Sequence, residues 1–469
     1  MKMRRYIALC LTATMFLGLL TSCEKKVTDT TETAETSVTT KTTKPTDIVD
    51  PDPTTPSIVV DDKISLTGFT DLGAQEAVNE GTDPIVIWSW NHDLEELIDI
   101  YTDISFEYEV VGDGDIESYK AYLDKAFDSG EDLPDLYVAD SSWAQEYIDS
   151  DRALPINELG LDYADLQDMF AYILYSSDDS ERVIRGITWE AAPAGVFYNK
   201  LLTEEYLGVT EPSEVSQYFS SWDSFLKMAQ AVQKASEGEA KAIATIGDLE
   251  TPYGAVKKTP WIVNGTLTVD PDLEGFYTYA DAFFEENLTF EVINEEGGIT
   301  VKPYTNENIL SYWGTLDMGR SLLSDPDDET YGNWGFIKSP VNYCSGGSWL
   351  MASPSCDMKK DAGDIMQAIC IDPDNLKDMA TNKGIFVNSK SIMKEMSEDS
   401  SFGLEWLGGQ NPYTLLFDVA SGIDYTITGA NDYRINEAFY ASVKSYYLGD
   451  YDTVDDAKAS FEAEVTELA

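Results

Sequence analysis

Histidine is nearly missing: His92 is the only one in 469 residues, beside 85 acidic and 31 basic side chains. A His-rich metal centre is excluded, and a catalytic triad has one candidate base at most. So few basic groups cannot neutralise a phosphate backbone, which removes nucleic acid as a partner. No GxSxG, HExxH, P-loop or dinucleotide fingerprint occurs. The five cysteines form no CxxC pair, so the common zinc and dithiol motifs are absent as well. The uncharged stretch Ile7–Leu20 is too short to span a bilayer comfortably.

That stretch follows Lys2, Arg4 and Arg5 and ends at Leu20-Thr21-Ser22-Cys23. A short positive region, an apolar run and small residues before a cysteine resemble the bacterial lipoprotein signal. The resemblance implies removal of residues 1–22 and a diacylglyceryl group on the Cys23 thiol, which becomes the mature N-terminus. Two acyl chains give the stable anchoring that one does not. The formal charge of −54 becomes −57 once the three basic residues leave with the signal. An anionic lipid surface repels such a chain, so a covalent anchor on the outer face of the cell membrane is the consistent reading. Residues 23–60 are Thr- and Pro-rich (TDTTETAETSVTTKTTKPT, PDPTTP) with almost no large apolar side chains. They are expected to form a disordered leash, because they cannot bury enough surface to offset the entropy of ordering.

About 400 residues remain, which favours two lobes over one core. PIVIWSW (84–90), ISFEYEVV (104–111) and PDLYVAD (134–140) read as strands. HDLEELIDIY (92–101) and SYKAYLDKAFDSG (118–130) read as helices, the second closed by Gly130. Strand–helix–strand–helix–strand predicts a parallel α/β sheet, with its ligand crevice at the carboxyl ends of the strands. GDGDIES (112–118) and DPDDET (325–330) lack the twelve-residue calcium-loop pattern and read as turns. Cys344, Cys356 and Cys370 are an odd set, and a Cys344–Cys356 bridge stays open.

From Pro84 onward the chain resembles the extracellular solute-binding proteins of family 1, which serve carbohydrate ABC importers. IVIWSWN, SGEDLPDLYVAD, ITWEAAPAGVFYNKLL (187–202) and SSWDSFLKMAQAV (220–232) carry the resemblance. So do TPWIVNGTL (259–267), SGGSWLMASPS (345–355), GIFVNSKSIM (384–393), LGGQNPYTLLFDVA (407–420) and DYRINEAFYASV (432–443). LGGQNPY is similar to a subgroup common in gut Firmicutes. The resemblance implies a two-lobed periplasmic-binding-protein-like α/β fold of parallel-type sheets flanked by helices. It divides the chain into 61–191 plus 315–384 for one lobe and 192–314 plus 385–469 for the other. Hinges are expected near Ala192, Ser339 and Gly384. It also implies a sugar or oligosaccharide ligand, an importer permease as partner, a monomer, and no cofactor or catalysis.

A pyranose needs aromatic platforms and fixed polar partners, and the chain has ten tryptophans and 27 tyrosines. Trp90, Trp143 and Trp349 stand at strand exits or beside glycines, with Trp189 and Trp261 as further candidates; Trp222 follows the N-cap candidate Ser221 and reads as packing. Asn91, Glu190, Asp317 and Asp432 are the candidate hydrogen-bonding groups, and Gly347 would let backbone approach a ligand. At Asp317 the family often carries an aromatic residue, and Asn431 stands where its tyrosine would. The departure at Asp317 points toward different hydroxyl geometry or a positively charged ligand. Two rivals keep a place: a glycoside hydrolase using paired carboxylates, and a glycan receptor with no permease.

Overall fold

The computed structural model describes residues 66–130, 133–294 and 298–468. The signal, Cys23 and the leash lie outside these. Along the chain come β1 (Ile85–Ser89), α1 (Asp93–Tyr101), β2 (Phe106–Val110), α2 (Ile116–Ser129), β3 (Leu136–Asp140) and α3 (Ala144–Ile148). They are followed by β4 (Gly186–Thr188), β5 (Pro193–Asn199), α4 (Trp222–Ala235), β6 (Ser311–Thr315) and α5 (Leu316–Leu323). Last come β7 (Trp334–Ile337), β8 (Tyr343–Cys344), β9 (Ser348–Ala352), α6 (Lys359–Cys370), α7 (Tyr413–Ser421) and α8 (Asp432–Tyr447).

The first sheet has the order β2-β1-β3-β9-β4. As the sequence pattern predicts, β1, β2 and β3 are parallel. β9 runs antiparallel to both β3 and β4, which forms the far edge of the sheet. Helices cover both faces, which is why the central strands read as apolar runs rather than alternations. One face packs Ile85, Ile87, Leu136 and Val138 against α1 and α6 through Leu94, Leu97, Ile365 and Ile369. The opposite face packs Trp88, Tyr137, Ala139 and Met351 against α2 and α3 through Tyr119, Leu123, Tyr147 and Ile148. Asp115 caps α2 by accepting from two backbone N–H groups, and Gly130 ends it in the left-handed region at φ 66°.

The second sheet is β6-β5-β7 with β8 also on β5, all antiparallel. β5 is buried along its whole length. On one side Val196 and Tyr198 join Phe225, Met228 and Val232 of α4 and Ile435, Phe439 and Val443 of α8. On the other, Phe197 meets Phe336, Leu416 and Ala420. Ser221 caps α4 as expected, its hydroxyl accepting from Ser224 N–H at 3.1 Å.

Three stretches pass between the sheets. Residues 189–192 join β4 to β5, residues 345–347 join β8 to β9, and 384–388 run beside the first: Ala191 N–H donates to Phe386 O at 2.9 Å and Asn388 N–H to Trp189 O at 3.0 Å. Ala192 holds φ 46°, a left-handed angle for a residue with a Cβ, and its carbonyl accepts from Ser345 at 3.1 Å. Gly384 sits at φ 71°, and a Cβ there would lie 2.1 Å from Arg320 Nη2. That guanidinium bonds the carbonyls of Lys383 and Gly384 at 3.0 and 2.9 Å. Two expectations are corrected. α5, β7 and β8, assigned above to the first lobe within 315–384, belong with the second sheet: Gly319 of α5 lies against Phe197 of β5, and β7 and β8 pair with β5. The middle crossing therefore falls at 345–347, and Ser339 lies between two strands of one sheet.

Cys344, Cys356 and Cys370 are all free, so the open Cys344–Cys356 pairing is not made. Both acidic stretches are turns: Asp113 adopts φ 55° beside Gly112, and Asp327 N–H bonds Asp325 at 2.9 Å. Among the described residues no helix is long and apolar enough to cross a membrane.

Candidate functional site

The carboxyl ends of β1 and β3, the start of β9 and the end of β4 lie along one edge of the first sheet, because β9 and β4 continue its ladder from Asp140. Ser348 pairs with Asp140 across that edge, and Ser141 N–H donates to Gly347 O at 2.9 Å. Gly347 holds φ 113°, where a side chain would be strained and would stand 3.1 Å from the Trp349 ring. The crossing 189–192 leaves from the same edge, so Glu190 sits at the floor of the slot between the lobes. Burial first, then repulsion from Asp317, Asp93 and Asp140, pushes its carboxyl up to about 7, while the Ser348 hydroxyl pulls the other way. Asp140 is likewise raised, mainly by burial, against the Ser142 hydroxyl at 2.6 Å.

At the end of β8, opposite Pro193, the Cys344 thiol donates to the Tyr425 hydroxyl at 3.3 Å. Burial pushes that thiol up to about 11. Tyr425 is raised by Cys344 first and burial second, with Asp432 and Asp140 also acting on it. Its hydroxyl therefore faces carboxylates of both lobes. Tyr172 backs it, with the rings 6.2 Å apart, and donates to the Ala191 carbonyl in the first crossing.

The candidate residues divide clearly. Trp90 is half-buried at the β1 exit, with its ring edge-on to Tyr119 at 5.5 Å. Asn91 turns its amide onto Asp93 at 2.6 Å and accepts from Asp93 N–H at 3.2 Å, which fixes that carboxylate at the start of α1. Asp93 is raised by burial and then by Asp317. Asp317 opens α5 from the other lobe, its side chain 89% exposed and 3.5 Å from Arg320. Glu190, Asp317, Gly347, Trp90 and Asn91 thus surround one slot. Asp432 borders it but is already paired, 2.7 Å from Lys257.

The other four tryptophans offer no open ring face. Trp143 is 1% exposed and packs on Tyr147 at 5.0 Å, and Trp189 is 4% exposed in the core. Trp349, also 4% exposed, spends its indole N–H on Ser177 at 3.1 Å. Trp261 is fully buried in the second lobe, bonded to Asn436 at 2.8 Å and packed between Phe439 and Phe461. Reading these residues from their polar neighbours overlooked how much area an indole hides once its strand is central. Trp222 behaves as expected and stacks on Trp313 at 5.7 Å. Asp93, Asp140, Ser348 and Tyr425 were not foreseen as slot residues. Asp140 was legible as the last residue of a strand; Tyr425 had no signal of its own.

Two sheets joined by three crossings, with a polar slot at the strand ends, make the two-lobed fold of the extracellular solute-binding proteins. An extracellular solute-binding protein of family 1 matches 82% of this chain and 99% of its own, at TM-score 0.66 and 13% identity. The ABC-transporter-associated binding protein of B. animalis subsp. lactis Bl-04, solved with β-1,6-galactobiose, matches 82% of this chain and 98% of its own, at TM-score 0.63 and 18% identity. The sugar-binding protein MalE of Xanthomonas citri matches 82% and 97%, at TM-score 0.62 and 15% identity. No protein-family model and no curated protein matches the chain.

Proposed function

We propose that this chain is a lipid-anchored extracellular solute-binding protein that captures a sugar or oligosaccharide between its lobes and delivers it to an ABC importer permease. The observation that carries the reading is the slot at the strand ends, in a fold whose solved examples include a galactobiose complex. The slot supplies what a sugar requires: Trp90 as an aromatic platform and Glu190, Ser348, Asp140 and Tyr425 as partners for hydroxyls. Glu190 titrating near 7 is protonated in a large share of molecules at neutral pH, so it both donates to and accepts from a hydroxyl. Binding acts by favouring the closed arrangement over the open one, with no covalent step. Cys23 tethers the protein, and the leash lets the lobes reach a permease.

The test is a thermal-shift screen of residues 61–469 against mono- and oligosaccharides. A ligand at a hundred times its dissociation constant adds about 2.7 kcal/mol of stability, an easily read shift. A selective rise with one oligosaccharide series is expected. Silence across the panel overturns the sugar assignment and directs the search to amines, which the carboxylates of the slot favour. Uptake by cells lacking the chain, restored by the wild type but not by Cys23→Ala, tests the anchor and the permease partnership.

A further inference from the structure

The slot has two sides, because the helices of the first lobe sit on opposite faces of its sheet: α2 and α3 on one, α1 and α6 on the other. On the α2–α3 side the second lobe reaches across. Tyr433, in the first turn of α8, donates its hydroxyl to both Glu117 oxygens at 3.0 and 3.2 Å. Arg434 places Nη2 2.6 Å from Glu146 Oε1. The receiving surface is already ordered. Lys120 is 7% exposed and holds Glu146 by its other oxygen at 3.2 Å and Asp124 at 2.9 Å. Its ammonium lies 5.8 Å from the Trp143 ring and 5.6 Å from the Tyr147 ring, and Tyr433 adds a third ring at 5.8 Å from across the slot. A buried cation caged by three aromatic rings, one supplied by the opposite lobe, is a fitted contact rather than a chance surface pair.

On the α1 side the carboxylates that act on one another have the same sign, with Arg320 3.5 Å from Asp317 as the nearby cation. Asp93 of α1 looks at Asp317 of α5, with Glu190 behind them. Among the described residues no bond joins Asp93 to Asp317; the bonds that α5 sends across are those of Arg320 to the carbonyls of Lys383 and Gly384 in the third crossing.

We propose that Tyr433 and Arg434, docked on Lys120, Glu117 and Glu146, seal one side of the slot, so that an occupant enters, and any longer ligand projects, only past Asp93 and Asp317. The proposal rests on the slot being the binding site. It makes Tyr433 and Arg434 determinants of ligand length, since added sugar units have one direction to grow. They are positioning residues; they act by holding α8 against α2 and α3.

Cys344, opposite Pro193 where the first and middle crossings meet the second sheet and partly exposed, is a native reporter of access, because the other described cysteines, Cys356 and Cys370, are 4% and 0% exposed. Full-length protein is labelled with a small maleimide without any ligand, and modification of Cys344 is followed by peptide mass. Tyr433→Phe with Arg434→Met is expected to speed labelling about fivefold by opening the sealed side. Arg434→Lys, which keeps the charge, returns the rate toward that of the wild type. Asp317→Trp, at an exposed position, is expected to slow labelling at least as strongly by filling the one entrance. Unchanged labelling in the Tyr433–Arg434 variant, or in Asp317→Trp, overturns the proposal. No sugar takes part, so its failure is distinct from a failure of the sugar assignment. If the sugar screen succeeds, the same double variant is expected to gain affinity for longer members of the series over shorter ones.

Discussion

The two sides of the slot are opposite solutions to the same problem, how one lobe should meet another. Where α8 meets α2 and α3, charges are complementary and an aromatic ring covers a buried lysine. Where α5 meets α1, Asp317 and Asp93 repel. A slot attractive on both sides would stay shut, and one repulsive on both would not close at a low cost in binding energy. Under the proposed function, one side of each kind would leave a hinged pair in which closure is poised and a ligand adds the difference.

That contrast can be broken in graded ways. The largest effect should come from outside both sides. Trp261→Ala, which empties a fully buried indole site, is expected to lower the unfolding free energy by about 3–5 kcal/mol in denaturant titration. Substitutions of Arg434 and Asp317 should stay within about 0.5 kcal/mol; a core-sized loss at either would mean that the lips carry the fold. Next is Trp90→Ala, expected to weaken the sugar found in the screen by more than about tenfold with little change in melting temperature. Unchanged affinity in calorimetry would remove Trp90 from the site.

Glu190 follows. Its carboxyl is raised to about 7 in the folded chain, so its contribution to stability is whole below the ordinary carboxyl range and is lost as pH rises through 7. Wild-type protein should lose on the order of 1–2 kcal/mol more than Glu190→Gln between pH 5 and pH 8, on top of the loss that the raised carboxyls of Glu250 and Asp178 give to both proteins. Parallel pH profiles for the two proteins would contradict that assignment. Arg434→Glu makes both sides repulsive and should cost about fivefold in sugar affinity at low salt, less at high salt. Smallest is Asp317→Asn, which removes the repulsion and should raise affinity about twofold at low salt. No gain would mean that Asp93 and Asp317 are too well screened to matter.

The sequence carried the local part of this structure. The first three strands and two helices fall within about two residues of their expected bounds, since each is specified by its own periodicity and caps. The pairing of β9 between β3 and β4 was not legible, because an antiparallel strand inserted from more than two hundred residues away leaves no local mark. The same holds for the slot. Glu190, Asp317 and Gly347 were found from the family motifs and strand exits, whereas Tyr425 and Asp93 depend on which loops come together in space. Buried and exposed tryptophans looked alike in sequence: GGSW and WSWN are equally polar in their surroundings, yet Trp349 is core and Trp90 is not.

The late arrival of β9 also governs the order of assembly. Ser353 bonds Pro134 across 219 residues and Asp357 bonds Asp135 across 222, so the first sheet stays a fragment with an unpaired edge at β3 until the chain beyond residue 350 is available. Contacts that distant are slow to form, and a nascent chain held in an unfinished state keeps its early strands free of stable structure. The first half of the chain therefore waits on the second, and a chain cut short before residue 350 cannot complete its first sheet.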